Sequence, residues 1–218
     1  MDLSPLYLTI KVSFVATVIT VAAGSVVSWV LARKTFLGKG ALNALVMQPL
    51  VIPPTVLGYY LLVTLGMGSW FGRFLSSTLG IELVFTWKGA VIAAVISSLP
   101  LFIMPSRAAF EGVSIDVENA ARLLGKSEFQ VLRTITLPLA WRGLLAGAIM
   151  AFARATGEFG ATLMVAGNIP GRTQTLPIAI YDAVQSGDTA GANTLVLIIT
   201  VFSFVVIYVT GRFVKGRL

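Results

Sequence analysis

Cysteine and histidine are both absent from this 218-residue sequence, and only 11% of its residues are charged. Without cysteine there is no disulfide framework, thiol nucleophile or thiolate zinc site, and without histidine imidazole acid–base chemistry is excluded as well. A water-soluble domain carries roughly 25% charged residues, so this chain has too little polar surface to cover a globule in water. No GxxxxGK[ST] stretch occurs, so no phosphate-cradling loop for ATP is present. What the chain has in abundance is apolar residues, 56% of the total, with a mean hydropathy of +0.90. A bilayer is the natural solvent for such a surface. The length suits one domain, read as a single transmembrane unit over residues 1–218.

The sequence starts Met1-Asp2, with an acid where a secretory signal carries basic residues. The first apolar run is therefore expected to stay as a permanent helix. A spanning helix needs roughly 20 mostly apolar residues, and charge-free windows place five spans at about 8–32, 41–66, 88–107, 142–166 and 191–212. The fourth is apolar except for Arg154 and Glu158, and the turn Gly66-Met67-Gly68 ends the second. The outer loop at 67–86 reads as short and mixed, with Trp70, Phe71, Phe85 and Trp87 as interfacial aromatics. A short helix around Ile178–Val184 is expected in the stretch after span four, dipping toward the bilayer.

The formal net charge of +7 would suggest nucleic acid in a soluble protein; in a membrane protein the position of the cations matters more. Arg33, Lys34 and Lys39 follow span one; Arg107, Arg122, Lys126, Arg133 and Arg142 lie between spans three and four; Arg212, Lys215 and Arg217 end the chain. All fall on one side, against Arg73, Lys88 and Arg172 on the other, with Lys11 able to snorkel outward. Cytoplasmic loops collect Lys and Arg, so the expected topology is N-terminus outside, C-terminus cytoplasmic, in the cell (inner) membrane.

The cytoplasmic loop at about 108–141 is the longest polar segment. Asp116 or Ser114 can cap a helix that Gly125 ends by taking a left-handed conformation. Ser127-Glu128-Phe129-Gln130 has the spacing of a capping box, opening a second short helix. Phe129, Leu132 and Ile135 recur every third residue and give it one apolar face. Pro138 suits the first turn of span four, where a missing N–H costs little. Such a helix either lies on lipid headgroups or offers its apolar face to a partner.

In span four, Arg154 and Glu158 are four residues apart and would share a helical face. Each charge alone at mid-bilayer costs roughly 2.5–3.5 kcal/mol on insertion scales, so both are expected to face protein or water. Either they form a packing ion pair, or Arg154 lends positive potential to an anion pathway while Glu158 holds it. Gly143 and Gly147 make a GxxxG step for close helix approach, within the chain or at a dimer seam. Pro49, Pro53 and Pro54 break the hydrogen-bond ladder of span two, for a gate or for shape alone; Pro100 and Pro105 read likewise in span three. An ion-coupled carrier or channel would usually show matched broken halves, and a membrane enzyme needs a nucleophile–base pair or metal cluster. Neither pattern is found.

The spacing Ala120-Ala121-x3-Gly125-x9-Ile135-x-Leu137-Pro138 resembles the cytoplasmic EAA loop of ABC-importer permease subunits. The family's Glu before the two alanines is Asn119 here, with Glu118 one place earlier. The resemblance implies an all-α permease fold of five transmembrane helices whose loop docks on a separate ATPase. It casts Glu118, Asn119, Ala120, Ala121, Gly125, Ser127, Phe129, Ile135, Leu137 and Pro138 as the coupling residues. The run around Arg154, Thr156, Gly157 and Glu158, with Phe159-Gly160-Ala161 and the later Asn168-Ile169-Pro170-Gly171, is similar to the oxyanion branch, above all molybdate permeases. Sulfate permeases share the Gly-Glu-Phe-Gly-Ala core, so tungstate, sulfate or thiosulfate are the alternative cargoes. That likeness implies a homodimer, two ATP-binding subunits and an extracytoplasmic molybdate-binding protein. ATP and Mg would be held by the ATPase. This chain itself would carry no cofactor or metal, catalyse nothing, contact lipid and bind no nucleic acid.

Overall fold

The computed structural model describes residues 3–215; Met1-Asp2 and the side chains of Arg212, Lys215 and Arg217, part of the charge reading above, lie outside the described residues. Every regular element among the described residues is helical. Helix α1 (Ser4–Arg33) fills the first apolar window and ends with Arg33 in its last turn, a position that suits the negative end of the helix dipole. Helix α5 (Trp87–Glu111) is capped by Thr86, whose hydroxyl accepts from Gly89 N–H, and runs unbroken through Pro100 and Pro105. Four helices are long and apolar enough to cross a membrane, and a bent pair makes a fifth crossing if counted as one span.

That bent pair corrects the second span. Residues 41–66 are not one helix: α2 (Lys39–Met47) passes into a 3-10 turn at Gln48–Leu50, and α3 (Pro54–Leu65) leaves at 112° to it. Pro53 caps α3 in an extended conformation. Two adjacent prolines without N–H groups, the first of them holding its neighbour Ile52 away from the helical region, leave the ladder nothing to continue with. The outer loop is corrected too. It contains α4 (Trp70–Leu79), capped by Ser69, whose hydroxyl accepts from Gly72 N–H at 2.7 Å. Its Trp70 and Phe74 rings stack 5.8 Å apart on an exposed aromatic face.

The polar loop between the third and fourth spans folds as α6 (Ile115–Leu123) and α7 (Glu128–Val131), and a π turn at Leu132–Thr136 carries the chain into α8 (Leu137–Thr156). Pro138 lies in the first turn of α8, as expected, but helical backbone runs into it without a break from Glu128. Pro138 has no N–H for the preceding turn, and a π turn just before it is a common way to absorb such a mismatch. The fourth span ends early, at Thr156 rather than about 166, and a break at Gly157–Phe159 separates it from α9 (Gly160–Ala166). Helix α10 (Leu176–Gln185) covers the short helix expected around Ile178–Val184, and α11 (Thr189–Lys215) is the last crossing.

The core is α5 packed between α1 and α8. Small residues bring these helices together in one buried cluster, Ala16, Ala90, Ala94 and Ala155, while the larger Leu31, Phe102 and Ile103 pack around Ala151 in another. Thr20 and Ser98 hydroxyls meet at 3.3 Å across α1 and α5, while Ser13 donates to the Thr9 carbonyl of its own helix at 2.7 Å. Small residues and satisfied hydroxyls are the usual glue between helices in lipid, where no hydrophobic effect pulls them together. Gly143 and Gly147 face α5: a Cβ on Gly147 would lie 2.7 Å from the Phe102 carbonyl oxygen, and one on Gly143 would meet Ala109. The GxxxG step thus serves packing within the chain.

Candidate functional site

Two places concentrate the polar chemistry of the chain. The first is the root of the loop. Ser114, not Asp116, caps α6, its hydroxyl accepting from Asp116 N–H at 3.2 Å. Gly125 takes φ +84°, and the Lys126 and Gly125 N–H groups bond back to the Ala121 and Arg122 carbonyls. This is the paired closure that a left-handed residue permits at a helix end. Ser127 and Gln130 complete the capping box, Gln130 Oε1 accepting from Ser127 N–H at 2.8 Å.

These local rules aim α6 so that Glu118 and Ala121 are buried while Asn119 and Ala120 are exposed. Glu118, only 5% exposed, accepts from Arg33 Nη2 at 3.0 Å and from the Thr136 hydroxyl at 2.7 Å. Arg122 lies 3.7 Å from its other carboxylate oxygen. Arg33 also donates to the Val113 carbonyl at 2.8 Å. Asn119 instead accepts from Arg122 Nη1 at 2.7 Å on the outer surface. Arg122 bonds Glu128 at 2.6 Å, and that hydrogen bond holds the Glu128 carboxyl below the usual carboxylate range and raises Arg122. A cavity of about 170 Å³ opens beside this cluster, lined in part by Trp29, Arg33, Glu118 and Thr136.

The outward apolar face differs from the expected one. Phe129 is 69% exposed, but Leu132 and Ile135 are half-buried in the π turn. Its companions are Leu123 and Leu124, 89% and 84% exposed on the rim of the glycine turn. Period counting within one short helix missed them, because they belong to the preceding helix. Leu137 is half-buried and Pro138 exposed at the head of α8.

The second place is the break in span four. Glu158 is not on the α8 surface as four-residue spacing suggested, because α8 ends at Thr156 with Gly157 as its cap. The carboxylate reaches both ways across the gap: Oε2 lies 2.7 Å from Arg154 Nη2, and Oε1 accepts from Ala161 N–H at 2.9 Å in the first turn of α9. Its side chain is 1% exposed and that of Arg154 28%. Thr156 donates its hydroxyl to the Phe152 carbonyl at 2.9 Å, whereas the Arg154 side chain is partly exposed. Helix α9 then packs on α3 through glycine: a Cβ on Gly58 would lie 2.8 Å from Ala161 Cα, and one on Gly160 would lie 2.9 Å from Pro54 Cβ. The loop after α9 is tied by Asn168, Gln174 and Asp182, with Asn168 Nδ2 donating to Asp182 at 2.9 Å and Gln174 Nε2 to Asn168 at 2.9 Å.

A bundle of membrane-length helices with a braced, projecting loop is the architecture of a transport permease. The family of binding-protein-dependent transport system inner membrane components matches residues 11–216. The chain belongs to that family. It is 44% identical over 192 residues to the molybdenum transport system permease protein ModB of Escherichia coli K12, covering 88% of this chain and 84% of that one. It is 30% identical to the sulfate transport system permease protein CysT of Salmonella typhimurium, covering 92% and 72%. An inward-facing structure of the MetNI methionine ABC transporter superposes with a TM-score of 0.70 at 17% identity, covering 97% of this chain and 94% of that one; at that identity the likeness speaks for the fold.

Proposed function

We propose that this chain is the membrane permease subunit of an ATP-driven importer for molybdate. The observation that carries the reading is the 44% identity to a molybdenum permease across most of both chains, against 30%, 32% and 34% to three sulfate permeases. Two copies would enclose the pathway. Two ATPase subunits holding ATP and Mg would grip the loops from the cytoplasm, and an extracytoplasmic binding protein would deliver the anion. The cation-rich side that includes the loop would be cytoplasmic, with the N-terminus outside. Phe129, Leu123 and Leu124 supply an apolar contact for the ATPase, and Gly125 and Ser127 fix its angle.

Chemistry is then foreign to this subunit, whose work is mechanical. Affinity would reside mainly in the delivery protein. The partly exposed Arg154 can offer an anion a transient contact while Glu158 anchors it, which suits a path that must release as well as admit. The test is ATPase activity of the reconstituted complex with its binding protein under molybdate, tungstate and sulfate in turn. Stimulation by molybdate, with sulfate inert, is expected. Stimulation by sulfate alone overturns the cargo assignment, and a loop that binds no ATPase overturns the class of mechanism.

A further inference from the structure

We infer that Glu118 is an internal clamp through which the loop drives the core helices, and not a contact for the ATPase. The inference rests on the reading above, that a motor grips the loop. Helix α6 has two faces with different jobs. Asn119, Ala120, Leu123 and Leu124 point outward, where a partner can reach them. Glu118 points inward and is 5% exposed, with its Oε1 already held by Arg33 and Thr136.

Its partners stand at the ends of two core helices, and one of them reaches the end of a third. Arg33 is in the last turn of α1 and also holds the Val113 carbonyl, in the turn that leaves α5. Thr136 is in the π turn at the head of α8. One carboxylate therefore ties α6 directly to the ends of α1 and α8 and, through Arg33, to the turn that leaves α5, the three helices packed together in the core. Arg122, on α6 itself, braces the carboxylate and links the cluster to α7 through Glu128. A displacement of α6 has to be passed to all three helix ends, because breaking a buried, hydrogen-bonded ion pair by losing one partner is strongly unfavourable. The Arg33 Nε is buried with no hydrogen-bond partner, so that guanidinium depends on Glu118 and Val113 for its compensation. The motif departure then has a physical sense: the acid sits one residue early, on the inner face, and the amide of Asn119 occupies the outer one.

The experiment uses the full complex in proteoliposomes and reads two quantities for each variant, co-purification of the ATPase and anion uptake per ATP hydrolysed. For Glu118→Gln the ATPase stays bound at the wild-type ratio while uptake per ATP falls about tenfold or more, within the ordinary range of coupling between sites. Thr136→Val cuts only the tie to α8, leaves no charge unpaired, and lowers the same ratio by a smaller factor, so it decides the matter should Glu118→Gln fail to assemble. Leu124→Ala, on the outer face, instead loosens the ATPase. Loss of ATPase binding in well-folded Glu118→Gln, or a normal uptake-to-ATP ratio in Thr136→Val, overturns the clamp. A wild-type chain that retains no ATPase overturns the underlying reading, and the clamp with it.

Discussion

Helices α1 and α5 meet along long, uninterrupted faces, whereas α3 and α9 each begin at a break and meet along a short one. Both pairs obey the same rule, small residues at close approach: Ala16 against Ala90 and Ala94 in the first, Gly58 against Ala161 in the second. The difference lies at their ends. Helix α5 keeps its course through two internal prolines because α1 and α8 flank it. Helices α3 and α9 start beside Pro53 and Gly157–Phe159, and Gly160 rests on Pro54, so the two interruptions lie side by side. Local order thus comes from surroundings as much as from composition. The first pair is a post, and the second is a two-helix unit with both breaks at one end.

The largest effect is expected from a substitution that touches neither pair. Gly125→Asp forces a side chain into φ +84°, a region costing roughly 1–2 kcal/mol for most residues, and places a charge on the exposed rim proposed to meet the ATPase. Insertion should be normal, while ATP-driven uptake is abolished and ATPase binding weakened; full uptake in that variant would break the distinction between driver and driven parts. Next comes Arg154→Ala, which leaves the buried Glu158 carboxylate facing no cation. Up to about 3 kcal/mol of stability should be lost, the low end for such pairs because Arg154 is partly exposed. Unchanged melting temperature and transport rate in reconstituted dimers would show that the joint needs no pin.

A matched pair of glycine substitutions sharpens the contrast. Gly58→Ala crowds the Ala161 backbone and Gly147→Ala the Phe102 carbonyl, each at about 1–3 kcal/mol of overpacking. Uptake should suffer more than melting temperature in the first, and the reverse is expected in the second. Equal losses in both measurements would erase the division between post and moving unit. The smallest effect belongs to Glu128→Gln. With its pKa held down by Arg122, the carboxylate contributes fully above the ordinary carboxylate value and loses that contribution as pH falls through the lowered one. Melting curves of the variant and the parent should therefore coincide in acid and differ only slightly at neutral pH, since exposed pairs are weak.

Charge-free windows made α1, α5 and α11 legible, and capping chemistry made the loop legible down to Ser127, Gln130 and the left-handed Gly125. The prolines announced the break at Ile52–Pro53, but not its angle. The second break was hidden because Gly157–Phe159 lies inside an apolar run, and hydropathy does not register a missing hydrogen bond. Helix α4 was passed over because its last turns read Ser76-Ser77-Thr78, and only the Ser69 cap signalled it. The Glu118 cluster was out of reach for a different reason. Its decisive partner, Arg33, is 85 positions away, and pairing over such a distance is set by helix packing that no local window contains.

One further long connection has a consequence for how the protein is made. The Thr9 hydroxyl, buried in α1, accepts the Leu176 N–H at 2.8 Å across 167 residues, while donating to the Pro5 carbonyl. A ribosome delivers α1 to the membrane long before residue 176 exists. Thr9 therefore cannot have this donor until α10 is made, so that one bond closes after α5 and α8 are available to hold the rest of α1.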